Sequence, residues 1–205
     1  MKIINQARKH FLFILSVLVV MVSCATIPYL TVNYRIPPRS GELKGKRVYL
    51  GFEDIRKVKT IFGKGAQKEF ENFSGNFSFS LARGDEPGFK IGVFDLPSLF
   101  QEVFKRRLEN LAVEVIPERK KDQIEVVIVL KKFLLDLIGR NWVVTMDYEA
   151  RLVKDERVAA KQMISGQAER VKLVGRKQAD TVLGEIFTDM VNRVDVGRLF
   201  LQANL

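Results

Sequence analysis

The most distinctive chemistry in this chain belongs to its single cysteine, Cys24, in the run Met21-Val22-Ser23-Cys24-Ala25-Thr26. Upstream lie Lys2, Arg8 and Lys9, then the apolar stretch Phe11 to Val22, with the small residues Ser23 and Ala25 beside the thiol. A charged start, a short apolar run and small residues at a cut describe a secretory signal, with cleavage between Ser23 and Cys24. Two other readings export the chain equally well. One is a membrane-spanning anchor, which needs about 17–25 apolar residues; Phe11 to Val22 is short of that, and extension to Ile27 crosses Ser23, Cys24 and Thr26. The other is an ordinary cleaved signal that leaves a soluble exported protein.

Composition narrows the chemistry further. His10 is the only histidine and lies inside the signal, so residues 24–205 contain none, and Cys24 is their only thiol. Ser-His-Asp and Cys-His nucleophile systems, His-based proton transfer and His/Cys zinc sites are thereby excluded, as is any disulfide within the chain. Carboxylate-pair catalysis is the remaining enzymatic route, yet the 24 Asp and Glu residues are scattered among Lys and Arg without a recognisable constellation. No metal and no cofactor is expected. The net charge of +10 falls to +7 once Lys2, Arg8 and Lys9 leave with the signal. Export removes nucleic acid as a partner for that charge, and clusters such as Arg119-Lys120-Lys121 read most simply as solvated turns.

The elements that would position any site follow from hydrophobic period. Residues 25–46 read as a tether: Thr31 to Ile36 alternates weakly and could pair at a sheet edge, and Pro37-Pro38 with Ser40-Gly41 reads as extended loop. Arg47 to Glu53 is a strand. Asn76 to Ala82 and Phe89 to Val93 alternate about a Gly/Pro/Asp turn, a hairpin expected as an insertion near 76–94. Pro97 to Leu111 carries Leu99, Phe100, Val103, Phe104 and Leu108 at helical spacing, with Asp95 placed to cap it. After a short strand at 112–116 come three long strands, in which Lys131-Lys132 suggests a bulge and Trp142, Val144, Met146, Tyr148, Ala150 and Leu152 share one face. A second helix runs from about Gln178 to Val194, interrupted in its interior by Gly184, a residue that costs a helix about 1 kcal/mol relative to alanine. Two one-sided helices over one apolar face give an α+β two-layer sandwich with a mostly antiparallel sheet. The expected organisation is a signal at 1–23, a lipidated tether at 24–46 and a single domain at 47–205.

The small residues and thiol at 23–25 resemble the lipobox of bacterial lipoproteins, with Met21 where leucine is usual. That resemblance implies cleavage before Cys24 and acylation of its sulfur. The wider layout is similar to the YajG-type lipoproteins and, more distantly, to LptE-like and ABC-transport auxiliary lipoproteins. The matching residues are the strand Val48-Tyr49-Leu50-Gly51-Phe52 running into Asp54-Ile55-Arg56, then Ile61-Phe62-Gly63. Asp54, Arg56 and Gly63 are the family-motif candidates; a strand-end turn with a local ion pair is the plainer reading of the first two.

The resemblance implies a non-enzymatic accessory protein of the envelope, held to the membrane by lipid and working with a protein partner. Ala25, in place of the aspartate that retains lipoproteins at the inner membrane of enteric bacteria, implies the outer membrane with the domain facing the periplasm. A lipid carrier is the alternative, motivated by Phe62, Phe70, Phe73, Phe77, Phe79, Phe89 and Phe94.

Overall fold

The computed structural model describes residues 29–173 and 175–205. Its strands form two mixed sheets. In the larger, the order is β5 (Glu114–Ile116), β2 (Arg47–Asp54), β6 (Glu125–Ile138), β7 (Asn141–Lys154) and β8 (Arg157–Val171). β2 runs parallel to both β5 and β6, while β6, β7 and β8 form an antiparallel meander. The smaller sheet has the order β1 (Leu30–Ile36), β3 (Phe77–Arg83) and β4 (Phe89–Phe94), with β1 parallel to β3. The meander follows from the alternating pattern: every inward residue from Trp142 to Leu152 on β7 is fully buried. The register slips between Leu130 and Lys132, the bulge that the lysine doublet suggests.

A short helix α1 (Lys64–Gln67) precedes one turn of 3₁₀ helix. The two long helices are α2 (Leu96–Asn110) and α3 (Lys177–Arg193), and α4 (Val196–Gln202) closes the chain. Asp95 caps α2 by accepting from the Ser98 amide at 2.9 Å, with Pro97 in the first turn. The helices and the smaller sheet lie on one face of the larger sheet. Phe100 of α2 and Phe187 of α3 meet Phe133 of β6 at ring distances of 6.0 and 5.8 Å, and Phe77 of β3 meets the same ring at 6.3 Å. The α+β sandwich is therefore as expected. The sheet that the sequence pattern suggests as one is two.

Two sequence expectations are corrected here. Residues 30–36 are not tether: Leu30, Val32, Tyr34 and Ile36 all point into the core as a strand. The 76–94 hairpin is not an insertion either, because β3 pairs with β1 along its whole length and buries Phe77, Phe79 and Leu81. The tail at 196–205 docks, with Val196, Leu199 and Phe200 buried.

β1 has a strand on one side only. On its other side α3 takes the place of a strand: Asp180 accepts from the Thr31 amide at 2.7 Å, and Thr188 Oγ1 from the Arg35 amide at 3.0 Å. Asn192 donates to the Arg35 carbonyl at 3.1 Å and accepts from the Tyr34 hydroxyl at 2.8 Å. Three backbone groups that would otherwise face a bare edge, the Thr31 and Arg35 amides and the Arg35 carbonyl, are thus satisfied by side chains. Gly184 is the point of closest approach; a Cβ there would stand 2.8 Å from the Asn33 carbonyl oxygen. The interior glycine that weakens α3 as an isolated helix is what lets it touch the strand.

Helix propensity alone makes Gly184→Ala stabilising by about 1 kcal/mol. The close approach to backbone reverses the sign, and a loss of about 1–3 kcal/mol is expected from overpacking. Urea denaturation of the two proteins measures the difference; a gain would contradict the geometry.

Candidate functional site

Cys24 lies outside the described residues, six positions before the first residue of β1. What the structure fixes is its neighbourhood along the chain. Five residues, Ala25 to Tyr29, separate Cys24 from β1 in the sequence.

Asp54, Arg56 and Gly63 fall in one segment that runs off the end of β2 and along β6. The Arg56 side chain turns back on Asp54 in a two-pronged pair, with Nε to Oδ1 at 3.0 Å and Nη2 to Oδ2 at 2.9 Å. The same carboxylate accepts from the Arg56 amide at 3.1 Å and pairs with Lys59 at 3.1 Å. Arg56 is buried, and its remaining nitrogen points at the Phe133 carbonyl at 3.5 Å. These charge-assisted hydrogen bonds hold the Asp54 carboxyl at about 2, well under its ordinary 3.8. An acid held this far below neutrality cannot donate a proton at neutral pH, so the pair acts as a clasp on the strand end.

Gly63 is not part of that clasp. Its amide donates to the Leu135 carbonyl at 2.9 Å, and a Cβ there would overlap the Asp136 carboxyl group. Asp136 sits against the start of α1 and accepts from the Gly65 and Ala66 amides at 2.9 and 3.1 Å. Asp136 is thus the residue that the motif needs and that pattern reading missed. A lone carboxylate inside the apolar run of β6 was its one visible signal.

A second charged group lies on the opposite face of the larger sheet. Glu149 of β7 is buried between Lys131, at 2.7 Å, and Arg151, which also pairs with Glu53 at 3.6 Å. Val127 and Val129 beside it are buried, but outside the main core. Both cations hold Glu149 at about 2 against an ordinary 4.5, so it too is an ionised acceptor. Among the described residues no group of three or more metal-ligating side chains occurs.

A groove of about 970 Å³ runs along the seam of β1 and α3, lined by Thr31, Asn33, Arg35, Asp180, Glu185 and Asn192 among others. Its lining residues are mostly polar in type, and three of them, Asp180, Thr188 and Asn192, are engaged in holding the β1 edge. Burial raises the Asp180 carboxyl above its ordinary value, offset in part by the Thr31 amide. Within the Phe-rich segment four rings fill their own space: Phe62 stacks on Phe70 at 4.9 Å and meets Phe73 edge-on at 5.1 Å, and Phe73 meets Phe77 at 5.5 Å, while Phe89 and Phe94 line small open concavities of about 350 and 310 Å³.

No protein-family model matches the chain, and no curated protein sequence is similar to it. Among solved structures, the fold is similar to that of a Xanthomonas campestris protein of the DUF330 family, with a TM-score of 0.57 at 12% identity over 86% of this chain and 97% of that one. Rare lipoprotein B from Shewanella oneidensis matches at a TM-score of 0.39 and 9% identity, over 76% of this chain and 97% of that one. A minor lipoprotein from Acinetobacter baumannii matches at 0.37 and 10%, over 76% and 93%. These two are too distant in geometry to bear on the chain.

Asp54 and Glu149 both have depressed folded-state values, so each stabilises fully above its ordinary value and the contribution disappears as pH falls to about 2. Urea midpoints are therefore expected to drop between pH 4.5 and about 2. The Asp54→Asn, Glu149→Gln variant is expected to be less stable at neutral pH and to lose less across that window. An unchanged slope would show that neither pair carries the acid sensitivity.

The likeness to the Xanthomonas protein establishes the α+β sandwich and nothing of activity; by fold, this chain resembles a DUF330 protein.

Proposed function

We propose that this chain is a lipid-anchored envelope lipoprotein whose domain is a non-enzymatic binding or adaptor module. The observation that carries the reading is the lipobox-like run at 21–25 placed five residues ahead of a core strand. Acylation at Cys24 would attach the folded body itself, with little intervening chain, to the bilayer. Each buried methylene contributes about 0.8 kcal/mol, so two or more acyl chains hold a small domain effectively permanently. The most perturbed carboxylates support the non-enzymatic part of the reading, since Asp54 and Glu149 are fixed as ionised acceptors by cations. Outer-membrane delivery, with the domain facing the periplasm, rests on Ala25 following the cysteine.

The alternative, a carrier that holds an acyl chain inside the sandwich, draws no support from the aromatic segment. Phe62, Phe70, Phe77 and Phe79 are buried against one another and the core, while Phe89 is exposed.

Cys24→Ala is expected to abolish metabolic palmitate labelling and to leave no mature form with an acylated N-terminus. Labelling and mass spectrometry of the purified protein check both. A fully labelled Cys24→Ala protein would contradict the proposal.

A further inference from the structure

The strand ends assign a direction to the domain. β1 begins at one pole, and the contacts Leu30↔Phe77, Phe77–Phe73, Phe73–Phe62, Phe62–Phe70 and Phe70–Trp142 lead across that pole to the β6–β7 turn. The end of β8 reaches the same place, because the Lys172 amide donates to the Arg140 carbonyl at 2.7 Å. Here stand the exposed apolar side chains Ile138, Val171 and Leu173, at 61%, 53% and 70% exposure. Ile138 and Val171 flank Asn141 in register on one sheet face. Tyr29, 41% exposed, marks where the chain leaves toward Cys24. Around them the segments 64–76, 138–141 and 169–177 carry seven Lys and Arg against three Glu, and Arg140, Arg176 and Lys177 are exposed.

We propose that this pole is a membrane-docking surface, with Ile138, Val171 and Leu173 seated in the headgroup region of an anionic bilayer and the cations on its phosphates. The proposal rests on acylation at Cys24. Six residue steps from Cys24 to Leu30 reach at most about 20 Å when fully extended. β7 alone, 14 residues long, spans about 45 Å. The acylated residue is therefore tied close to the Tyr29 pole, with the pole that holds Val158 and Leu201 about the length of β7 away. Apolar side chains ringed by Lys and Arg, with a tyrosine at the margin, match the chemistry of a lipid interface.

The test uses the full acylated chain reconstituted into vesicles of phosphatidylethanolamine and phosphatidylglycerol. Ile138→Cys or Leu173→Cys is labelled with the fluorophore NBD, and Val158→Cys and Leu201→Cys serve as far-pole controls; Cys24 is blocked by its acyl group. Nitroxide-bearing lipid is expected to quench the near-pole labels several-fold more than the controls. Arg140→Glu with Arg176→Glu is expected to weaken that quenching at least twofold when phosphatidylglycerol is present, with little change when it is absent. Equal quenching at the two poles, or none at either, on protein that floats with the vesicles overturns the docking and leaves the anchor standing. Near-pole labels that stay in water on vesicles but become buried in intact envelopes overturn it in favour of a protein occupant. Protein that does not float overturns both readings.

Discussion

An unpaired strand edge cannot lie in a folded interior without partners for its amides and carbonyls. β1 meets this constraint by borrowing side chains from α3, the helix that begins 141 residues after its last residue: Asp180, Thr188 and Asn192 take the places that a neighbouring strand would fill. The rest of the structure depends on that seam. It fixes α3 between the two sheets, with Phe187 against Phe133 and Tyr148 donating to the Met190 carbonyl at 2.7 Å. It also draws Leu30 to Ile36 into the core and so shortens the link to Cys24 to a few residues.

The larger sheet then separates two kinds of environment. Its covered face is aromatic, with Phe133, Trp142 and Tyr148 buried beneath Phe100, Phe104 and Phe187 of the helices. Its other face is held by ion pairs that include two buried carboxylates, Glu149 with Lys131 and Arg151, and Glu125 with Arg119. Glu149 persists there because two cations and their hydrogen bonds compensate the loss of water. The Asp54–Arg56 clasp does the same at the end of β2, and the Asp136 cap on α1 pins the following loop to β6. All three uses of charge are architectural.

The elements with a strong local period were legible in the sequence. α2 and α3 show their stripes within a single window, and the β6–β8 meander shows alternation, a bulge and short turns in order. β1 was not legible as core, because its evidence lies elsewhere in the chain. Four inward residues separated by Thr31, Asn33 and Arg35 look like a weak edge until Asp180 is brought to Thr31 from 149 residues away. The partner of the 77–94 hairpin was hidden for the same reason. Gly184 was visible only as a defect, since its use is an approach to another element's backbone. The Asp54–Arg56 pair could be read as local because it spans two residues, whereas Gly63 could not be understood without Asp136, 73 positions on in β6.

The placement of the domain at the bilayer depends on β1, which begins at Leu30, six residues after Cys24 and so within about 20 Å of it. Native-state hydrogen exchange at the Thr31 and Arg35 amides tests it most directly. Exchange that requires global unfolding, as slow as that of the β7 amides, is the result expected of a core strand sealed by α3. Exchange at the rate of a solvated linker would return residues 30–36 to the tether and free the domain from the bilayer surface.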